Sequence, residues 1–357
     1  MKKTALVAMS GGVDSSVAAY LLIQQGYECI GTNLKLFSNE VIGKSTEKSC
    51  CSFDDAEAAR KISSQLGMPF YVLNFAEAFK SQVIDRFIDT YENGATPNPC
   101  IDCNRYIKFD RLLNKANELD ISYIATGHYA RVEYDGSNKR YLLKKGADCK
   151  KDQSYVLYFL TQGQLSRAIF PLGGINKTEV RDIAAKQGFA NANKTESQDI
   201  CFVQEGNYGD FIDNYSNKTH IPGDFVDLCG NVLGRHKGLT RYTIGQRKGL
   251  GISMANPIYV HSKCVKNNTV TLCDNEGLFS KTLLAADFNW IMHEEIIEPI
   301  RVKAKVRYNQ KEEWATASPI SKGQVEVTFD EPQRAIAKGQ AVVLYDGDYV
   351  VGGGTIG

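Results

Sequence analysis

Thr4-Ala5-Leu6-Val7-Ala8-Met9 runs directly into Ser10-Gly11-Gly12-Val13-Asp14-Ser15-Ser16, and this junction decides the fold. The first six residues read as a buried strand, two glycines turn the chain, and Val13–Gln25 carries a helical pattern. Strand, glycine turn and helix together aim backbone N–H groups at a phosphate. Gly11 and Gly12 let the backbone come close without Cβ atoms in the way. Ser10, Ser15 and Ser16 add hydroxyl donors, and Asp14 offers a carboxylate for Mg²⁺ or its waters. The loop lacks the Gly-Lys-Ser/Thr ending of the common nucleotide loop. With no lysine for the β- and γ-phosphates, simple γ-phosphoryl transfer is disfavoured.

Outward from the loop, strand and helix patterns alternate. Strands are expected at Thr4–Met9, Ile30–Phe37, Phe70–Phe75 and Tyr123–Thr126. Helices are expected at Phe53–Leu66 behind a Ser52 cap, Ala76–Glu92, Asn104–Glu118, and Lys177–Gln187 with Asn176 as cap and Glu179 three residues on. This order implies an α/β fold, a parallel sheet covered by helices whose site lies at the carboxyl ends of the strands. Beyond about Glu205 helical periodicity fades and glycines punctuate short β-rich runs. From about Phe279 alternation dominates, as in Ile300–Tyr308 and Gln324–Phe329, and predicts a compact antiparallel β-barrel. The expected organisation is a nucleotide-binding domain over 1–205, a small β-rich central domain over 206–278, and a β-barrel over 279–357.

The 357 residues are too many for one ordinary core, which agrees with that division. The proportions of 43% hydrophobic and 23% charged residues are those of a globular chain, and no stretch is apolar enough to cross a membrane. Met1-Lys2-Lys3 and the apolar run after it are too short for a signal peptide, so a cytoplasmic location is expected. Net charge is +1, but from Leu228 to Cys273 there is no acidic residue. That window holds Arg235, Lys237, Arg241, Arg247, Lys248, Lys263 and Lys266, a surface suited to a polyanion. Arg301, Lys303, Lys305 and Arg307 alternate with Val302, Ala304, Val306 and Tyr308, which puts four cations on one face of a barrel strand.

There are ten cysteines. Cys29, Cys149, Cys229, Cys264 and Cys273 stand singly and read as small buried hydrophobes. Cys50-Cys51 with Cys100-x-x-Cys103 supplies four sulfurs, but adjacent cysteines are poorly spaced for a zinc clamp, and a turn leading into a helix is the simpler reading. Cys103, in Asn98-Pro99-Cys100-Ile101-Asp102-Cys103-Asn104, is expected just before a helix, whose dipole favours thiolate. Pro97 and Pro99 stiffen the approach to it. Cys201 follows Ser197-Gln198-Asp199-Ile200.

The seven-residue loop resembles that of the ATP-pyrophosphatase (PP-loop) superfamily. Its members split ATP between the α- and β-phosphates, adenylate a carbonyl oxygen, and displace AMP with nitrogen or sulfur. That leaves amide-forming synthetases and tRNA thiolases both open, and an RNA-binding module that senses nucleotide is the non-enzyme alternative. Paired cysteines favour sulfur, because one can carry a persulfide that the other releases by forming a disulfide.

Further motifs resemble the tRNA-specific 2-thiouridylase family along nearly the whole chain. They are Thr96-Pro97-Asn98-Pro99 leading to Cys103-Asn104, Ile107-Lys108-Phe109, Thr126-Gly127-His128-Tyr129-Ala130, Lys151-Asp152-Gln153-Ser154, and Tyr242-Thr243-Ile244-Gly245-Gln246-Arg247-Lys248-Gly249. The resemblance implies thiolation of C2 of a wobble uridine in tRNA, using ATP, Mg²⁺ and a sulfur-donor protein such as a cysteine desulfurase or a relay protein. It implies that Ala8, Met9, Ser10, Gly11, Gly12, Val13, Asp14, Ser15, Leu34 and Gly127 contact ATP. Cys201 would carry the persulfide and Cys103 would act as nucleophile. Asn98, Pro99 and Cys100 would face the target base. His128, Lys151, Asp152, Gln153, Arg307, Tyr308 and Gln340 would face tRNA. Many members of the family have Asp where this chain has Cys100. Cys100, Cys103 and Cys201 would suffice to hold a [4Fe–4S] cluster with one iron open, an alternative to the persulfide route.

Overall fold

A computed structural model of the chain describes residues 3–37, 53–194, 200–203, 208–216 and 221–357. Cys50-Cys51 and the Ser52 cap lie outside these residues.

Strand β1 (Thr4–Ala8), helix α1 (Val13–Gln24), β2 (Glu28–Lys35), α2 (Phe53–Gln65) and β3 (Phe70–Asn74) follow the expected alternation. The segment read as one helix from Ala76 is α3 (Ala76–Phe79), a π-turn over Lys80–Ile84, and α4 (Asp85–Glu92). A second helical run starts earlier than expected. It comprises α5 (Pro99–Asp102), a π-helical stretch over Cys103–Arg111, and α6 (Leu112–Glu118). Asn98 is its N-cap residue and Pro99 its first residue, a position where the missing N–H costs nothing.

Strand β4 (Tyr123–Ala125) returns to the sheet, and then a hairpin of β5 (Ala130–Asp135) and β6 (Arg140–Lys145) leaves it. After α7 (Gln162–Leu165), β7 (Ala168–Ile169) adds a fifth strand that sequence periodicity did not show. Helix α8 (Lys177–Lys186) has the expected capping box between Asn176 and Glu179. The sheet is parallel, in the order β3-β2-β1-β4-β7. Side chains of β1 alternate between two cores. Leu6 joins Phe79, Phe87, Ile107 and Leu112 on one face, while Ala5 and Val7 join Val17, Leu22, Ile62 and Val180 on the other.

Helix α9 (Tyr208–Ser216) opens the expected central region, yet its Ile212 is buried in the same core as Phe87 and Phe202. Strands β8 (Gly223–Val226), β9 (Val232–His236), β10 (Tyr259–Cys264) and β11 (Thr269–Cys273) form a small sheet in the order β10-β11-β8-β9. It has its own core around Phe225, Tyr242, Val260 and Leu272.

The C-terminal strands are β12 (Phe279–Trp290), β13 (Ile300–Lys305), β14 (Glu313–Ser321), β15 (Gln324–Arg334), β16 (Ala341–Asp346) and β17 (Tyr349–Ile356). They pair antiparallel in the order β12-β15-β14-β13-β16-β17, and β12 also pairs β17, which closes the barrel. The β5–β6 hairpin extends this sheet through Tyr349 opposite Lys144. Ile291, Ala341, Val343, Tyr345 and Val350 belong to the first-domain core, so barrel and parallel sheet share one apolar interior. Among the described residues no helix is long and apolar enough to cross a membrane.

Of the five single cysteines, Cys29 and Cys273 are buried as expected. Cys149 and Cys229 are exposed and Cys264 is intermediate, because the first two fall in surface turns rather than in strands.

Candidate active site

The glycine loop lies where chain order reverses across the sheet, between β1 and β4, the usual crevice for a ligand in an open α/β sheet. Gly11 has φ +74°, and a Cβ there would stand 2.4 Å from the Asp55 carbonyl oxygen. Only glycine fits that position. Gly127, just beyond β4, sits so close that a Cβ would be 2.9 Å from the Ser15 nitrogen. Ala8 ends β1, Leu34 is buried near the end of β2, and Met9 is fixed by its N–H to Thr32 O at 2.7 Å. The residues expected around ATP are thus gathered at adjacent strand ends.

The serines divide their work differently from the expectation. Ser15 Oγ accepts from the Ser10 N–H at 3.2 Å and donates to Gly12 O at 3.0 Å, and Ser16 Oγ also donates to Gly12 O. Ser15 and Ser16 are buried and shape the loop, while Ser10 is exposed.

A lysine that sequence reading missed completes the loop. Lys177 Nζ lies 2.7 Å from each carboxylate oxygen of Asp14, and Tyr129 OH donates to Asp14 Oδ1 at 2.6 Å. Lys177 is the first residue of α8, and its local signal was only that of a helix start. Asn191 Nδ2 donates to Gly11 O and to Ser16 Oγ, both at 3.0 Å, and Lys194 pairs with Asp55 behind the loop.

The cysteine segment lies along the other core. Cys103 stands at the junction of α5 and the π-helical stretch, one turn inside the helical run. The expected helix-start position belongs to Cys100, which is exposed. Cys103 and Cys201 are both partly buried against the core of Phe79, Phe87 and Phe202. Neighbouring Asp102 is pushed up to about 6, chiefly by burial, against the opposing pull of Arg86 and Arg105. Arg105 pairs with Asp287 of the barrel, and Asn104 Nδ2 donates to Val156 O at 3.1 Å. Among the described residues no three or more His, Cys, Asp and Glu side chains are grouped as a metal ion would require.

The residues expected to face RNA are mostly engaged inside the protein. His128 is buried between Phe109 and Phe170, with Nδ1 2.7 Å from Thr126 Oγ1. Burial, aided by Lys108, holds its pKa well below the ordinary histidine value. Asp152 accepts from Gly146 N and Ser154 N, and Gln153 Oε1 accepts from Tyr129 N. Tyr308 OH donates to Asp152 O at 3.0 Å.

Strand β13 ends at Lys305, before Arg307, whose guanidinium donates to Ile244 O and Ala335 O at a joint between central sheet and barrel. Gln340 Nε2 donates to Thr96 O and Pro97 O, both at 3.0 Å. On the cation face, Arg301 pairs with Asp330, and both Arg301 and Lys303 lie over Trp314. In the acid-free window, Arg235 pairs with Asp224 and Arg241 with Asp210 and Asp213. Lys263 points inward, and burial brings it down to about 8. Lys237, Arg247, Lys248 and Lys266 remain on the surface.

Comparison with known proteins follows the same three parts. Residues 3–205 match the family described as "tRNA methyl transferase HUP domain", 209–274 its "PRC-barrel domain", and 280–356 the "Aminomethyltransferase beta-barrel domain". The chain is 52% identical over 356 residues to the tRNA-specific 2-thiouridylase MnmA of Clostridioides difficile, covering 100% of this chain and 98% of that protein. It is 50% identical to the protein of that name in Acetivibrio thermocellus, with 99% of each chain covered. It is also 50% identical to the one in a Thermoanaerobacter species, over 100% of this chain and 99% of the relative.

Proposed function

The chain belongs to the tRNA-specific 2-thiouridylase family, and from that premise we infer that it replaces O2 of the wobble uridine in tRNA with sulfur, splitting ATP to AMP and diphosphate. The observation that carries this reading is that Cys103 and Cys201, far apart in the chain, rest on one core, in a domain that also holds a glycine loop suited to ATP. Uridine O2 attacks the α-phosphate, the α–β anhydride bond breaks, and diphosphate leaves. The adenylated oxygen is then a good leaving group. A sulfur-donor protein, a cysteine desulfurase or a relay protein, loads Cys201 with a persulfide. The Cys103 thiolate attacks Cys201 Sγ, and the terminal sulfur departs as hydrosulfide and attacks C2. The C–O bond breaks, AMP leaves, and a Cys103–Cys201 disulfide remains for an external thiol to reduce.

Ala8–Ser15, Leu34 and Gly127 cradle ATP. Lys177 supplies the cation that the loop itself lacks. Asp14, whose two carboxylate oxygens accept from Lys177 and one also from Tyr129, would hold a Mg²⁺ ion through the ion's waters. Such an ion would neutralise phosphate charge. Asn98, Pro99 and Cys100 meet the target base, which is cheapest to expose in a single-stranded loop. The surface cations of the central domain and Lys151 track tRNA phosphates, and these contacts position the RNA without reading sequence. The enzyme works in the cytoplasm, where its substrate is.

The test is labelled ATP with tRNA and a sulfur source. AMP and 2-thiouridine are expected, and ADP in place of AMP would sink the assignment. With a persulfide donor, Cys103→Ser and Cys201→Ser should each reduce thiolation to background. Retained transfer in both variants would remove the cysteine mechanism.

A further inference from the structure

The sequence Thr96-Pro97-Asn98-Pro99 leads into Cys100 and Cys103, and its two prolines have no N–H to donate. Such a segment has few means of holding itself. The carbonyls of Ala95, Thr96 and Pro97 are instead held by two other parts of the molecule. Lys263 Nζ, from β10 of the central sheet, donates to Ala95 O at 3.3 Å and to Tyr242 O at 3.0 Å, and lies 5.2 Å from the centre of the Tyr91 ring. Gln340, at the entrance to β16 of the barrel, donates to Thr96 O and Pro97 O. The Thr96 N–H in turn reaches Lys338 O at 2.7 Å.

A glycine on each side makes the approach possible. At Gly339, with φ +85°, a Cβ would stand 2.9 Å from Thr96 O, and at Gly94, with φ +76°, it would stand 3.3 Å from Val265 Cγ2. Thr96 Oγ1 is buried without a hydrogen bond, so the segment lies where the neighbouring domains put it rather than where its own polar groups would settle.

We propose that Lys263 and Gln340 are positioning residues for the sulfur step, a clamp through which the seating of the central domain and the barrel sets where Cys103 stands. The inference rests on the reading that Cys103 takes part in sulfur transfer. It gives Gln340 a task different from the direct tRNA contact that family resemblance implies. The segment from Pro97 to Cys103 is short and continuous with a helix. A shift of its anchored end therefore moves the thiol, and a reacting group displaced by a fraction of a bond length loses rate.

The full chain is compared with Gln340→Ala, Lys263→Met and Lys263→Arg. Alkylation of Cys103 by iodoacetamide is followed by peptide mass spectrometry without tRNA, ATP affinity is measured by titration, and kcat and KM for tRNA are measured separately. Gln340→Ala and Lys263→Met should each change the Cys103 alkylation rate about fivefold, the effect of losing one or two hydrogen bonds. They should also lower kcat and leave ATP affinity unchanged, while Lys263→Arg restores both rates. An unchanged alkylation rate with a raised KM for tRNA would overturn the proposal, because Gln340 would then act on RNA directly. An equal fall in ATP affinity would overturn it too, because the effect would not be confined to the segment. The alkylation measurement needs neither tRNA nor turnover, so a chain that thiolates nothing fails the proposed function without deciding this result.

Discussion

The nucleotide loop and the cysteine segment are held in opposite ways. Between Ser10 and Ser16 the serine bonds span three to five residues, and the longer ties, from Tyr129, Lys177 and Asn191, come from the same first domain. At Ala95, Thr96 and Pro97 the donors come from 168, 244 and 243 positions away. A loop that binds the same nucleotide in every turnover can be rigid and held within one domain. On the proposed reading, the segment meets a base on a large RNA, and it is tied to the domains that would hold that RNA. This difference predicts that variants of the loop damage ATP binding and stability together, whereas variants of the segment spare ATP binding.

The largest effect is expected at Gly11. Gly11→Ala places a Cβ against the Asp55 backbone at a φ that side chains avoid. It should cost roughly 3 kcal/mol or more and weaken ATP binding at least about a hundredfold. Chemical denaturation and ATP titration measure both. Near-normal ATP binding would show that the loop is less rigid than described.

Next is Lys177→Met, which leaves Asp14 without its cation. A loss of roughly 2 to 3 kcal/mol is expected, less than for a fully buried pair because Asp14 is partly exposed. Adding Asp14→Asn should recover the stability but not AMP production. Recovery of both would mean that Lys177 is purely structural.

The smallest effect sharpens the comparison on the cysteine side. The folded-state pKa of Asp102, about 6, lies above the ordinary carboxylate value. The folded chain therefore keeps a proton that the unfolded chain has lost between about pH 4 and 6. Stability falls as pH rises through that window, and the full cost remains above it. Asp102→Asn should remove this slope and stabilise the protein at pH 8 by about 1 to 2 kcal/mol, with ATP affinity unchanged. Denaturation curves across pH 4–8 would check it, and a slope that persists in the variant would refute the assignment.

These two regions also mark what could be read from sequence. The strand–glycine–helix junction was legible because its signals lie within a dozen residues and follow period and capping rules. The same holds for the Asn176–Glu179 box and the alternation of the barrel strands. The β5–β6 hairpin was missed, although Asp135-Gly136 between Tyr134 and Tyr141 marks a turn. The π-helical stretches have no periodic signature, so Cys103 was placed before a helix rather than inside one. His128 and Arg307 looked like surface contacts because burial and partners are set by chain folding over long separations. Lys177 meeting Asp14, and Gln340 meeting Thr96, have no local trace at all.

The shared interior of catalytic sheet and barrel has a consequence for how the protein is made. The N-terminal sheet leaves the ribosome first, but its core is completed by Ile291, Ala341, Val343, Tyr345 and Val350. Until those late residues arrive, the first domain carries an uncovered apolar face, and the β5–β6 hairpin waits for a partner at Tyr349. Such a chain finishes folding only near the end of synthesis and is open to aggregation before then. Truncation within the barrel would therefore unmake the nucleotide site as well.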